Sequence, residues 1–109
     1  VIGENCLIGM NAVIMDNVIL EAECIVGALT FIKADEKFER RSLIVGNPAK
    51  KIKEVSDEMI SWKTTGTQLY QQLPDEMFNN WKACEPLREI PENIASQQKV
   101  FGTWNESKK

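Results

Sequence analysis

The chain has 109 residues, of which 43% are hydrophobic and 27% are charged, and its formal net charge at pH 7 is −3. These ordinary values exclude a wholly disordered chain and allow one domain or less. The apolar runs are too short to cross a membrane and no signal peptide is visible, so we expect no membrane partner. The acidic balance, without a basic stripe interleaved with aromatic residues, argues against nucleic acid as a partner.

A repeat of six residues opens the chain. In blocks of six from Val1, the second position holds a branched aliphatic residue, and the sixth a small or β-branched one. These positions are occupied by Ile2, Ile8, Ile14, Leu20, Val26 and Ile32, and by Cys6, Ala12, Val18, Cys24 and Thr30. A period of six predicts a parallel β-helix in which each hexapeptide forms one side and the aliphatic side chains stack inward. We expect Gly3, Gly9 and Gly27, which follow the aliphatic residue, to form tight bends at the corners.

The coils of this β-helix are expected to occupy residues 1–50. The repeat weakens near Ala34, so residues 35–41 are predicted to form a polar loop, and the apolar run over 42–45 to form one more side. The turn formers of residues 46–48 then end the coils, because Pro48 cannot donate a ladder hydrogen bond.

Residues 51–90 are predicted to form a helical extension. Ser56 is a good N-cap, and an apolar stripe at helical spacing follows it. Pro74 either kinks this helix or opens a second one that reaches Cys84. Residues 91–109 are predicted to be an extended and partly mobile tail.

The positions of the cysteines in the repeat favour reduced thiols. Cys6 and Cys24 belong to the small inward column and should lie on the same side of successive coils. We expect both as reduced thiols, in a cytoplasmic protein, with a disulfide between them as the alternative. No Cys or His spacing predicts a metal site, and the sequence contains no histidine.

Positive charge is concentrated in residues 33–53. Seven basic residues and three acidic ones give this segment an excess of +4: Lys33, Lys37, Arg40, Arg41, Lys50, Lys51 and Lys53 against Asp35, Glu36 and Glu39. Two interpretations stay open. The segment either binds an anion, such as the phosphates of a cofactor, or forms a solvated loop face.

The first position of the repeat is apolar as well. It holds Val1, Leu7, Val13, Ile19, Ile25 and Phe31. These side chains should alternate outward from the inward column, and a solenoid monomer would leave much of the stripe exposed. A homotrimer contact or a covering helix would explain it.

Two groups of residues resemble a known superfamily. Residues 7–16, 25–28 and 45–50 look like the hexapeptide-repeat transferase superfamily. The helix around Trp62 and the run over 85–90 narrow the resemblance to its PaaY/CaiE-like branch, which is related to γ-class carbonic anhydrases. The hexapeptide motif by itself is specific for fold only.

This resemblance implies a trimer of left-handed parallel β-helices, each with one or two C-terminal helices packed on its outside. It also implies a metal-dependent thioesterase that acts on acyl-coenzyme A, in phenylacetate or carnitine metabolism, with Zn or a similar divalent metal held by three histidines. A chain without histidine carries none of these ligands, so we expect no metal or other cofactor in this chain alone, and no such activity from it. Since Val1 lies inside a repeat, we expect the chain to be the C-terminal part of a longer protein or a short relative.

The resemblance also suggests site residues. Gly27 and Ala28 would border the pantetheine arm of coenzyme A, and Asn11 would be a polar, catalytic residue near the metal pocket or a simple turn residue. The phosphates would meet the end of the last coil strand and the basic segment, through Lys33, Arg41, Asn47 and Lys50. Two alternatives stay open: a non-catalytic trimerisation or accessory module, and a coenzyme A-dependent acyltransferase.

Overall fold

The computed structural model describes residues 1–92 and 101–108. The chain divides into two compact units, Val1–Thr64 and Thr65–Lys109. Among the described residues, no helix combines the length and apolar character that a membrane crossing requires.

The first unit is built from short parallel strands. The first four strands each pair in parallel with the strand 18 residues further along the chain, as Leu7 pairs with Ile25. The strands are β1 Leu7–Ile8, β2 Val13–Ile14, β3 Ile19–Leu20, β4 Ile25–Val26, β5 Phe31–Ile32, β6 Lys37–Phe38, β7 Ser42–Val45 and β8 Lys50–Glu54. They form three sheets, with the orders β1-β4-β7-β8, β2-β5 and β3-β6. Three sides that repeat every 18 residues define a parallel β-helix, as the period of six predicts.

The predicted inward columns form the core. Leu20, Val26, Ile32 and Ile44 are fully buried, together with Val18 and Cys24 of the sixth-position column. Burial falls toward the first coil, where Ile2 is 52% exposed. Stacking the same apolar positions coil upon coil removes these side chains from water, and this burial holds the coils together.

The corners are turned by the fifth residue of each block. Seven such residues have a left-handed backbone, with φ between 54° and 66°: Asn5, Asn11, Asn17, Glu23, Leu29, Asp35 and Arg41. The glycines predicted for this purpose serve a different one, and none of the three lies in the left-handed region. A Cβ on Gly9 would stand 2.4 Å from the backbone nitrogen of Ala28, so Gly9 permits close approach of the next coil.

The repeat continues beyond Ala34, so the polar loop predicted over residues 35–41 is wrong. Strand β6 pairs in parallel with β3, and Phe38 takes the inward position, packed against the core. Asp35 and Arg41 turn corners like the other fifth residues. An aromatic residue in the aliphatic column, flanked by charged residues, hid this hexapeptide from a search for aliphatic residues.

The coils end where the turn formers predict. After residues 46–49 the chain reverses, and β8 runs antiparallel to β7. This strand is an element that the sequence analysis does not predict, because its exposed sequence of lysines around Ile52 lacks an apolar alternation. The helix α1 spans Asp57–Asn80 with Pro74 inside it, and it ends four residues before the predicted Cys84.

Ser56 is confirmed as the N-cap of α1. Its hydroxyl oxygen accepts a hydrogen bond from the backbone N–H of Met59 at 3.3 Å. The Ser56 hydroxyl also lowers the pKa of Glu58 in the first turn. The negative charges of Asp57 and Glu58 suit the positive end of the helix dipole.

The second unit contains the rest of α1 and a short helix, α2, over Trp104–Ser107. This helix lies where the sequence analysis expects an extended tail. The ring of Phe101 packs on Gly66, whose added Cβ would stand 3.1 Å from Phe101 Cζ. The remainder of the predicted tail, residues 93–100 and 109, lies outside the described residues.

Candidate functional site

Equivalent residues of successive coils stack at three corners. The first corner comprises residues 9–12, 27–30 and 45–48, the second residues 15–18 and 33–36, and the third residues 3–6, 21–24 and 39–42. These corners divide the predicted site residues, which lie far apart in sequence, into separate groups.

Four predicted site residues meet at the first corner: Asn11, Gly27, Ala28 and Asn47. Hydrogen bonds join its three levels, from Leu29 N–H to the Met10 carbonyl at 3.0 Å and from Gly27 N–H to the Ile44 carbonyl at 2.8 Å. A third, from Phe31 N–H to the Gly46 carbonyl at 2.9 Å, fixes the turn that carries Asn47. The corner therefore presents two exposed amides, Asn11 on its first level and Asn47 in its last turn, with Ala28 and Leu29, the equivalent of Asn11, on the level between them.

The hairpin brings Lys50 beside the first corner. Lys50 begins β8 and pairs with Val45, the last residue of β7, which directly precedes the corner turn. The neighbouring Ala49 is buried, and its N–H donates to the Phe31 carbonyl at 2.8 Å. Lys50 itself is exposed. One cation thus lies beside the last level of this corner, the level that carries Asn47.

Lys33 lies at the second corner, not with this group. Its backbone N–H donates to a Glu36 carboxylate oxygen at 3.3 Å. At the same corner the side-chain amide of Asn17 donates to Asp35 Oδ1 at 3.1 Å. The carboxylates of this corner lower its affinity for an anion.

Arg41 lies at the third corner, where two carboxylates hold its guanidinium. Its Nε donates to Glu23 Oε2 at 2.8 Å and its Nη1 to Asp57 Oδ1 at 2.7 Å. Arg40 donates to the same Glu23 oxygen from Nη2 at 2.7 Å. The Arg41 and Arg40 guanidiniums hold the pKa of Glu23 below its ordinary value, and Glu23 and Asp57 raise the pKa of Arg41. Arg41 therefore has a structural role within the chain.

A further ion pair reduces the basic excess. Lys51 pairs with Glu39, and each member favours the charged form of the other: the pKa of Glu39 is lowered and the pKa of Lys51 is raised. Arg40, Arg41 and Lys51 are thus neutralised by carboxylates, two of which, Glu23 and Asp57, lie outside the basic segment. Only the fold brings these cations and carboxylates together, so the sequence analysis did not identify Glu23 and Asp57 as partners of the basic residues.

The first two turns of α1 run along the third corner. Asp57 contacts Arg41, whereas the buried ammonium of Lys63 donates to the side-chain oxygen of Asn5. Arg41 and Asn5 are two coils apart, roughly 10 Å at the usual strand spacing. Six residues of helix rise about 9 Å. Because these two lengths are similar, the helix can contact Arg41 in the last coil and Asn5 in the first.

The thiols do not form a metal centre. Cys6 and Cys24 are free, as predicted, and each Sγ donates to a carbonyl of the next coil at 3.2 Å, that of Glu21 and of Glu39 respectively. Burial raises the pKa of the Cys24 thiol, which disfavours the thiolate that binds metals. Nowhere in residues 1–92 and 101–108 do three His, Cys, Asp or Glu side chains come together in a way that could hold a metal ion.

The first corner has apolar features that the sequence analysis did not single out. Met10 is 82% exposed and Leu29 is 72% exposed, and both lie at its turns. Inside the corner, the Thr30 hydroxyl is buried and has no hydrogen-bond partner among the described residues. Leu rarely adopts the left-handed backbone that this turn requires. A search for fifth positions that hold a residue other than Asn, Asp or Gly would have singled out Leu29 in the sequence.

Comparison with known proteins agrees with this fold. Residues 1–34 match the family described as bacterial transferase hexapeptide (six repeats). Among solved structures, a hexapeptide transferase family protein from Anaplasma phagocytophilum has a TM-score of 0.65 and 23% sequence identity, and the match covers 69% of this chain and 45% of that one. At that identity the likeness supports the fold alone. Residues 1–34 therefore carry the hexapeptide repeat of this family.

Curated relatives extend the likeness past the repeat. The chain is 40% identical over 92 residues to the carnitine operon protein CaiE of Escherichia coli K12, a match that covers 84% of this chain and 47% of the relative. It is 41% identical over 93 residues to CaiE of Shigella flexneri serotype 5b, covering 85% and 47% respectively. The predicted resemblance to CaiE-like hexapeptide proteins is thus confirmed. The chain spans about half the length of the curated relatives it matches.

Proposed function

We propose that this chain provides the coenzyme A-binding edge of a CaiE-like protein that acts on acyl-coenzyme A thioesters in carnitine-related metabolism. The observation that carries the proposal is that successive levels of the first corner hold Asn11, Ala28 and Asn47, with the exposed Lys50 beside the last level. The likeness to CaiE supports the metabolic setting, and the hexapeptide transferase repeat supports a group-transfer or hydrolytic enzyme.

Each residue of this edge has a chemical task in the proposal. The amides of Asn11 and Asn47 can donate to and accept from the amides of the pantetheine arm. The small side chain of Ala28 leaves room for the arm along the corner, and the ammonium of Lys50 can pair with a phosphate as a point charge. Lys33 and Arg41 lie at other corners, so binding at this edge does not require them.

The proposal assigns binding, and not metal chemistry, to these 109 residues. The metal-dependent thioesterase reaction implied by the resemblance needs nitrogen or sulfur ligands, and the sequence has no histidine while Cys6 and Cys24 point into the coil with their thiols hydrogen bonded. The donor set therefore does not fit a catalytic zinc site. If such a metal serves the enzyme, its ligands come from outside this sequence.

The assembly is proposed to be a homotrimer of left-handed β-helices, as the resemblance implies. The exposed apolar residues Met10, Val13 and Leu29 support an interface on this side of the coils. The same observation favours the second candidate function, a non-catalytic assembly module. A monodisperse monomer in sedimentation equilibrium at micromolar concentration would argue against both the trimer and the module.

Calorimetric titration of the 109-residue chain with coenzyme A tests the proposed function. We expect saturable binding that Lys50→Ala weakens by about five- to tenfold, the usual effect of losing one charge-assisted contact. Lys53→Ala is the matched control, because Lys53 is an exposed lysine of the same strand, and it should change affinity by less than about twofold. Absence of binding, or equal losses in the two variants, contradicts the proposal. If the chain self-associates but does not bind coenzyme A, the result favours the non-catalytic assembly module.

A further inference from the structure

The second half of α1 has one apolar side. At 100° per residue, Tyr70, Leu73, Met77, Phe78 and Trp81 fall within an arc of about 140°. Trp81 follows the last helical residue but continues the helical hydrogen bonding, since its N–H donates to the Met77 carbonyl at 2.9 Å. We call these five residues the apolar helix face. The opposite arc holds only polar residues: Gln68, Gln71, Gln72, Asp75, Glu76 and Asn79.

The residues of the apolar helix face are exposed to solvent. Phe78 is 89% exposed, Tyr70 76% and Trp81 74%, and Leu73 and Met77 are also exposed. Aromatic side chains bury 150–250 Å² each, so the five residues present roughly 700 Å². This area exceeds the largest apolar patch of a typical monomer. It approaches the ~800 Å² that each partner contributes to a stable protein interface.

One end of the same side already accommodates an aromatic ring. Phe101 covers Gly66, one helical turn before Tyr70, and a groove continues from that contact, lined by Gly66, Leu69, Tyr70, Leu73 and Glu76. This intramolecular contact shows the kind of group that the helix surface accepts. The apolar helix face beyond it offers the same chemistry to a partner.

Charge narrows the choice of partner. Between residues 64 and 81 the chain has no Lys or Arg, and its two charges, Asp75 and Glu76, are negative. An anionic lipid surface would be repelled by these carboxylates, and the exposed Lys82, directly after Trp81, is a single cation where such a surface needs a cluster. A second copy of the same face fits better, because a two-fold contact opposes apolar residues to apolar residues, with Asp75 on the outer arc and Glu76 at the edge of the groove.

We propose that a second copy of this chain docks on the apolar helix face, with α1 contacting α1. The contact is distinct from the proposed trimer interface on the coils, because it uses none of their residues. Aromatic residues and Met dominate it, as they do the centres of protein interfaces.

Sedimentation equilibrium of the 109-residue chain tests this inference with two neighbouring substitutions. Phe78→Glu adds a charge to the apolar helix face, and Asn79→Glu adds the same charge to the polar arc. We expect Phe78→Glu to raise the dissociation constant for self-association at least about tenfold, and Asn79→Glu to change it by less than about twofold. Because Phe78 is exposed, its replacement should preserve the helix. Circular dichroism checks that the helix content is unchanged. Tyr70→Gln is a second variant of the apolar helix face, and we expect it to weaken self-association as well.

A photo-crosslinker identifies the contact independently. With p-benzoylphenylalanine in place of Phe78, we expect crosslinks to residues 65–92 of another copy. Crosslinks to residues 1–64, a monomeric wild-type chain, or equal effects of Phe78→Glu and Asn79→Glu would overturn the proposal. Coenzyme A binding is measured on the same variants. Since none of them is a residue of the first corner, a loss of self-association with intact binding separates this inference from the proposed function.

Discussion

Leu29 provides a quantitative test of how the corners are built. Its φ of 59° lies in the left-handed region, where a residue other than glycine loses about 1–2 kcal/mol, and Asn recovers much of this through local hydrogen bonds. The equivalent residue one coil earlier is Asn11, with φ of 57°. We therefore expect Leu29→Asn to stabilise the chain.

The size of the gain follows from two opposing terms. Leu29 is 72% exposed, so replacement loses about a quarter of the 1.5–3 kcal/mol for burying a leucine, about 0.5 kcal/mol. Relief of the left-handed strain outweighs this loss and leaves a net gain of about 0.5–1 kcal/mol. For a domain of this size the gain corresponds to a rise in Tm of about 2–8 °C.

Thermal and urea unfolding, followed by circular dichroism at one fixed protein concentration, measure the effect. Leu29→Ala is the control, because Ala also loses the buried leucine contacts but keeps the strain. We expect the Ala variant to be less stable than wild type by about 0.5 kcal/mol. If the Asn and Ala variants had the same free energy of unfolding, conformational strain at this corner would be ruled out.

Three further predictions concern the core, the thiols and the third corner. Thr30→Val should raise the free energy of unfolding by about 1 kcal/mol in urea titration, because it removes a buried hydroxyl that lacks a partner among the described residues; a loss of stability would contradict this. In thiol labelling of the native chain, Cys84 should react at once and Cys24 only on unfolding, because Cys84 is exposed and Cys24 is buried; equal rates would refute the core assignment. The pKa values of Glu23 and Glu39 are lowered by their cationic partners, so their stabilisation is complete above the unfolded pKa of about 4.3 and disappears as pH falls through the folded values. Tm should therefore fall with pH below about 4, and Glu23→Gln should reduce that dependence; an unchanged pH profile would count against the ion pairs.

The coils can be predicted well from the sequence, because residues that contact each other in a β-helix are separated by a constant number of residues. In a solenoid each inward residue contacts its equivalent one coil away, so the period alone identifies Leu20, Val26 and Ile32 as core. Phe38 extends that series, and admitting aromatic residues to the column would have found the last hexapeptide. The period does not identify which position turns the corner, because Asn, Glu, Leu, Asp and Arg all occupy it.

The candidate site was harder to predict because charge partners come from distant residues. Arg41 looks free in the sequence, yet Glu23 lies a full coil below it and Asp57 begins α1. The same stacking of coils that occupies Arg41 places Asn11 and Asn47 at one corner, two coils apart. The spacing in the sequence shows which of these residues are neighbours only after each residue has been assigned to a corner. The antiparallel strand β8, which places Lys50, has no periodic pattern in the sequence.

Amide chemical shifts of the isotope-labelled chain during titration with coenzyme A test the central claim most directly. The account predicts saturable shifts confined to the first corner and the start of β8, at residues 10–12, 27–30 and 46–50. Shifts centred on residues 39–41 and 57, at the third corner, or no shifts at millimolar coenzyme A, would contradict it.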